Sequence, residues 1–241
     1  MTVTYRDCNF LTLLFKWKGS VWKEVYKEYI VFLLLYYAIN LSYRFAMNAN
    51  QQGTFENLVK FVENRHNRIP IQFMLGFYVS SVLSRWWDQI MCVAWPDKFL
   101  TLMTANMPGE DEETLKIRRT FARWCSLLNV LNWKELCLKV KKRFPTDEYL
   151  LRSGIFTPEE FKIYKNTDST YGRTFIPANW IANTLAKCHQ RGMITDFAFQ
   201  KLLEELWNFR LPTAMLTIYD WIEIPLAYNQ LVTVATYGYF A

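Results

Sequence analysis

Charge is absent from three stretches of the chain, Tyr29 to Tyr43, Ile69 to Ser84 and Ile224 to Ala241, and it is dense between Asp97 and Asp220. Such segregation predicts membrane helices interrupted by a polar region. A helix needs about 20 apolar residues to cross ~30 Å of hydrocarbon. The two early windows reach across if Lys27, Arg44, Arg68 and Arg85 snorkel their charges outward while Tyr29, Tyr43 and Trp86 sit at the interface. In chain order the pattern predicts an N-terminal segment 1–28, a transmembrane helix 29–45 and a connecting loop 46–68. A second membrane helix with its extension (69–96), a polar helical region (97–220) and the start of a further membrane segment (221–241) follow. That last window is still apolar at its final residue, so the chain is expected to be part of a longer one.

The polar region reads as helical, with clear punctuation and no alternating strand runs. Thr157-Pro158-Glu159-Glu160 is a capping box with proline in the first turn, Gly154 and Gly192 are expected helix terminators, and Pro177 is expected to open a helix carrying Trp180. The expected fold class is an all-α membrane protein, transmembrane helices plus a helical region outside the bilayer.

On a helical wheel Ile69, Phe73, Gly76, Phe77, Ser80 and Ser84 share one face of the second window, and Ile71, Leu75, Tyr78 and Val82 lie opposite on a lipid-like face. Gly76, Ser80 and Ser84 stand at small-xxx-small spacing, which permits close helix approach or borders an enclosed space. Ile69, Phe73 and Phe77 fit a constriction that closes by dewetting, and also fit ordinary bundle packing, the reading that periodicity alone favours. Periodicity does not show a pore. Pro70 suits a first helical turn, whose exposed N–H groups and dipole attract anions.

Composition changes this picture little. Aromatic residues at 17% fit interfacial belts. The net charge of +6 raises nucleic-acid binding, but Arg6, Lys16, Lys18, Lys23 and Lys27 all precede the first window, the mark of a cytoplasmic N-terminus. No recognition module is visible, so no nucleic-acid partner is expected. With the N-terminus inside, 46–68 is extracellular and 97–220 cytoplasmic. No secretory signal is apparent.

Candidate chemistry is sparse. Cys8, Cys92, Cys125, Cys137 and Cys188 lack CxxC spacing, and Cys188 and His189, adjacent on a helix, diverge too far for a metal pair. Glu110 to Glu113 reads as a solvated first helical turn rather than a calcium loop, and Lys139, Lys141, Lys142 and Arg143 as a helix C-terminus or an anion vestibule. No nucleophile elbow, phosphate loop or zinc motif is present, and no enzymatic role is expected.

Nine short stretches then converge on one family: Trp17-Lys18-Gly19-Ser20, Ile69-Pro70-Ile71, Gly76-Phe77-Tyr78-Val79, Arg85-Trp86-Trp87, Trp95-Pro96-Asp97, Arg118-Arg119-Thr120, Arg143-Phe144-Pro145, Thr157-Pro158 and Tyr219-Asp220-Trp221-Ile222. In this ordered series the chain resembles the bestrophins. The resemblance implies a pentameric chloride channel of the plasma membrane, opened by cytosolic calcium, passing chloride and other small anions along the fivefold axis through the lipid bilayer. It implies a pore neck at Ile69, Phe73 and Phe77 and a second, cytosolic aperture near Phe197 or Ala198. Calcium is implied for the full-length protein, whose acidic clasp falls after Ala241, so this fragment alone is not expected to bind calcium properly or to form a calcium-gated pore. Homo-oligomers and assemblies with related subunits are both compatible. Departures from the family pattern are Glu223 and Asn229. The rival readings are a non-conducting membrane adaptor that regulates other channels, and a soluble helical interaction protein.

Overall fold

The protein is described from a computed structural model covering residues 10–66, 71–169 and 172–240. Every regular element among these residues is helical: α1 (Phe10–Leu14), α2 (Val21–Leu41) running into a π-helical turn at Ser42–Ala46, α3 (Ala49–His66), α4 (Ile71–Met91), α5 (Asp97–Asn106), α6 (Glu112–Leu136), α7 (Leu138–Arg143), α8 (Glu148–Arg152), α9 (Pro158–Asn166), α10 (Ile176–Gln190), α11 (Asp196–Trp221) and α12 (Leu226–Phe240). The chain divides into two compact units, residues 1–70 and 71–241.

In the first unit the apolar helix begins earlier than the uncharged window suggests. Lys23, Glu24, Lys27 and Glu28 are good helix formers, so nothing breaks the backbone between Ser20, which precedes the first turn, and Tyr29. The continuous helical stretch Val21–Ala46 spans 26 residues and is, among the described residues, the one long and apolar enough to cross a membrane. Residues 46–68, expected as a loop, are helical from Ala49 to His66. The Gln51 side-chain carbonyl accepts from the Asn48 N–H at 3.0 Å, and Gln52 donates to the Tyr43 carbonyl at 3.0 Å. These bonds start a helix whose polar composition had masked its periodicity.

The second unit is built on α6 and α11, which run in the same direction. At one end Arg191, just before α11, lies 2.6 Å from Glu113 near the start of α6. At the other, Thr217 Oγ1 near the end of α11 donates to Asn132 Oδ1 near the end of α6 at 3.2 Å. Phe99, Phe121, Cys125, Ile181, Leu185 and Leu202 fill the space between α5, α6, α10 and α11. On the far side of α6, Leu127, Leu131, Leu150, Phe156, Tyr164 and Ile176 form a second core under α8 and α9. The large buried rings at ~25 cal/mol per Å² of apolar surface hold this bundle together.

The expected punctuation is present. Thr157 Oγ1 accepts from the Glu160 N–H and the Glu160 carboxylate accepts from the Thr157 N–H, with Pro158 in the first turn. Gly154 and Gly192 end α8 and α10 with φ of 74° and 72°, a region that a Cβ disfavours. Pro177 lies in the first turn of α10. Asp111 caps α6 by accepting from the Thr114 N–H, and Glu112 and Glu113 occupy the solvated first turn. α11 runs through Pro212 without ending.

Candidate functional site

α4 positions Phe73 and Phe77 one turn apart, with ring centroids 4.6 Å apart and planes at 60°. Both are exposed, at 66% and 56%. Ser80 and Ser84 are also exposed, and a methyl group added at Gly76 would meet nothing within 4 Å. Ile69 and Pro70 lie outside the described residues. The structure thus keeps the wheel face together from Phe73 to Ser84 and leaves it uncovered.

The opposite face is covered only in part, with Leu75 and Val82 exposed. Ile71 is buried and Tyr78 packs on Tyr228 of α12 at 5.9 Å. An apolar stripe facing another helix and one facing lipid have the same composition, so residue type alone could not tell them apart. The third window forms a helix of 15 residues. α4 has 21 residues, but Gln72, three serines, Arg85 and Asp88 dilute its apolar character.

Arg85 was expected to reach for headgroups. Its Nη2 instead donates to the Tyr219 carbonyl at 2.7 Å and to the Ile222 carbonyl, and its guanidinium lies 5.1 Å from the centre of the Tyr219 ring. These carbonyls are the unpaired acceptors at the end of α11, where a cation also complements the helix dipole. A charge at a window boundary is the signal that was present; its partner, 134 positions later, was not legible.

At the other end of α11, Thr195 Oγ1 accepts from the Ala198 N–H. Phe197 is 82% exposed and Ala198 is 2% exposed, its methyl packed in the core. Two turns further along stands Glu205, 3% exposed, with Lys98 Nζ at 2.8 Å and Lys201 Nζ at 3.5 Å. The hydrogen bond from Lys98 holds its carboxyl below the usual range against the opposing effect of burial. Sequence reading missed this group, because Lys98 lies on α5 while Lys201 and Glu205 lie on α11.

The remaining candidates are structural. Arg123 forms a two-pronged bond with Glu160, whose Oε1 also accepts from Trp124 Nε1 at 2.7 Å. Cys92, Cys125, Cys137 and Cys188 are free thiols. Burial pushes Cys125 up to about 12, whereas the Val140 and Lys139 backbone N–H groups hold Cys137 below its ordinary value. His189 pairs with Asp196 at 2.5 Å and stacks on Phe199, while its neighbour Cys188 is buried. Among the described residues no group of three His, Cys, Asp or Glu side chains could hold a metal ion. These residues therefore offer no side-chain set for the calcium that the resemblance implies for the full-length protein.

A family model described as "Bestrophin, RFP-TM, chloride channel" matches residues 1–241. Bestrophin homolog 14 of Caenorhabditis elegans is 40% identical over 240 residues, which cover 100% of this chain and 58% of that protein. Bestrophin-2 of Mus musculus is 39% identical over 248 residues, covering 100% and 49%, and Bestrophin-1 of Homo sapiens is 39% identical over 248 residues, covering 100% and 42%. The chain spans about half the length of the curated relatives it matches. With its motifs in order and a match along its entire length, this chain belongs to the bestrophin family.

Proposed function

We propose that the chain is the membrane and proximal cytosolic part of an anion-channel subunit, with Ile69, Phe73 and Phe77 forming a hydrophobic neck. The observation that carries this is the pair of exposed rings on α4, on a helix whose Tyr78 packs on Tyr228 of α12 and which Arg85 ties to α11. Large apolar side chains left uncovered on a fixed helix need a partner other than water. Copies of the same stripe around a shared axis, five in the family pattern, supply one. Gly76, Ser80 and Ser84 then allow neighbouring helices to approach.

Such a neck acts by dehydration. When narrow it excludes water and ions; when wider it passes those anions that shed water easily. Ring edges carry partial positive charge, so tilted phenyl groups favour an anion over a cation. We assign the second aperture to Phe197, which is exposed at the start of α11, in preference to the buried Ala198. We place the channel in the plasma membrane with its N-terminus cytoplasmic, and assign calcium sensitivity to the full-length protein.

Whole-cell recording of the full-length protein tests the reading. Phe73→Ala and Phe77→Ala are expected to change relative permeability to chloride, iodide and thiocyanate and to weaken closure. A current with wild-type selectivity and gating in both variants would favour the non-conducting adaptor.

A further inference from the structure

One exposed surface is unused by this reading. α7 carries Lys139, Lys141, Lys142 and Arg143 within six residues, all exposed, with Leu138 exposed at its start. Val140 alone turns partly inward. None of the four cations has a carboxylate partner among the described residues; Arg143 rests on the Phe144 ring at 5.7 Å. The nearby acid Asp147 is taken by Lys134 at 2.6 Å, and Glu148 faces Lys165.

The place of α7 in the bundle gives this charge a meaning. Exposed Trp86 and Trp87 adjoin Arg85 on α4, and exposed Trp221 ends α11 where Arg85 binds it. Tryptophan side chains gathered at one level, beside an uncharged helix that starts at Leu226, mark the boundary between water and lipid. α6 runs in the same direction as α11, and Asn132 touches Thr217. Asn132 precedes the end of α6 by four residues, and Thr217 precedes the end of α11 by four. Both helices therefore climb a further ~6 Å from that contact, which brings the start of α7 level with Trp221.

We propose that α7 is a docking surface for the anionic headgroups of the adjacent leaflet, with Lys139, Lys141, Lys142 and Arg143 as the contacting cations and Leu138 as an apolar foot at the interface. This rests on the membrane reading given above. Each Lys or Arg held near an anionic surface adds to binding, and the attraction decays within about 10 Å at 0.1 M salt. Cations at the tryptophan level fall inside that range, whereas Lys116 and Arg119, near the opposite end of α6, fall outside it.

Binding of fluorescent phosphatidylserine to the full-length protein in neutral detergent tests the proposal. K139Q/K141Q/K142Q is expected to bind about a hundredfold more weakly than wild type at 0.1 M salt, and K139R/K141R/K142R to bind as wild type does. K116Q/R119Q should bind normally, and fluorescent phosphatidylcholine should not distinguish any of them. Wild-type affinity in the Gln variant, or an equal loss in K116Q/R119Q, would overturn the proposal. So would competition by millimolar inorganic phosphate, or a fall in chloride flux for the Gln variant in phosphatidylcholine vesicles, since either outcome assigns the patch to anions in solution. Retention of wild-type protein in an alkaline carbonate pellet reports on the membrane reading alone, so the two failures are separable.

Discussion

At the scale of single residues, chemistry depends on what surrounds each group. Glu205 is almost fully buried, and its two lysines stay exposed, at 68% and 41%, so its removal strands no buried cation. We expect Glu205→Ala to lower stability by about 1–3 kcal/mol. The folded carboxyl has a depressed pKa, so its contribution is complete above the unfolded carboxylate pKa and is lost as pH falls through the folded one. Melting of wild type and Glu205→Gln measured from pH 7 down to pH 3 should show the gap narrowing with acid; a gap that widened would contradict the ion pair. Among the four described thiols, Cys137 is expected to react fastest with iodoacetamide at neutral pH, and Cys125 slowest, because thiolate rather than thiol attacks. Mass spectrometry of a timed labelling series reads the order directly.

Among the elements, Arg85 links α4, which carries the aromatic stripe, to the end of α11, whose start carries Phe197. A planar fork satisfies two carbonyls and covers an aromatic face; an ammonium does not reproduce that geometry. Arg85→Lys and Arg85→Gln are therefore expected to loosen the 219–225 turn, at a cost of order 2 kcal/mol for the glutamine. Hydrogen exchange at residues 219–225 should accelerate by tenfold or more, while α9 stays unchanged. Thr157→Ala, in contrast, removes a helix cap at a cost of about 1 kcal/mol and should leave any conductance untouched. Most of these boundaries were legible: caps, terminating glycines and first-turn prolines are local rules, and Thr157, Gly154, Gly192 and Pro177 all obey them. Helix α3 was not, because its polar residues carry no apolar run, and α2 was underestimated because charge was taken as a boundary where the backbone has none.

For the whole molecule, a neck that selects by dehydration makes a prediction of its own. Weakly hydrated thiocyanate or iodide should permeate better than chloride through the full-length channel, and Phe73→Ala should reduce that preference, read as a shift in reversal potential after bath replacement. A preference for fluoride would overturn it. The sequence by itself determined the all-helical class, the caps and breaks, the family, and the face of α4 that holds Phe73, Gly76, Phe77, Ser80 and Ser84, because each follows from local spacing or from residues in fixed order. Only the tertiary structure decided that Tyr78 packs on Tyr228 of α12, that Arg85 caps α11, that Phe197 is exposed while Ala198 is buried, and that Thr217 of α11 meets Asn132 of α6. These are contacts between residues far apart in the chain. Their geometry comes from how the helices pack, which spacing along one helix does not contain.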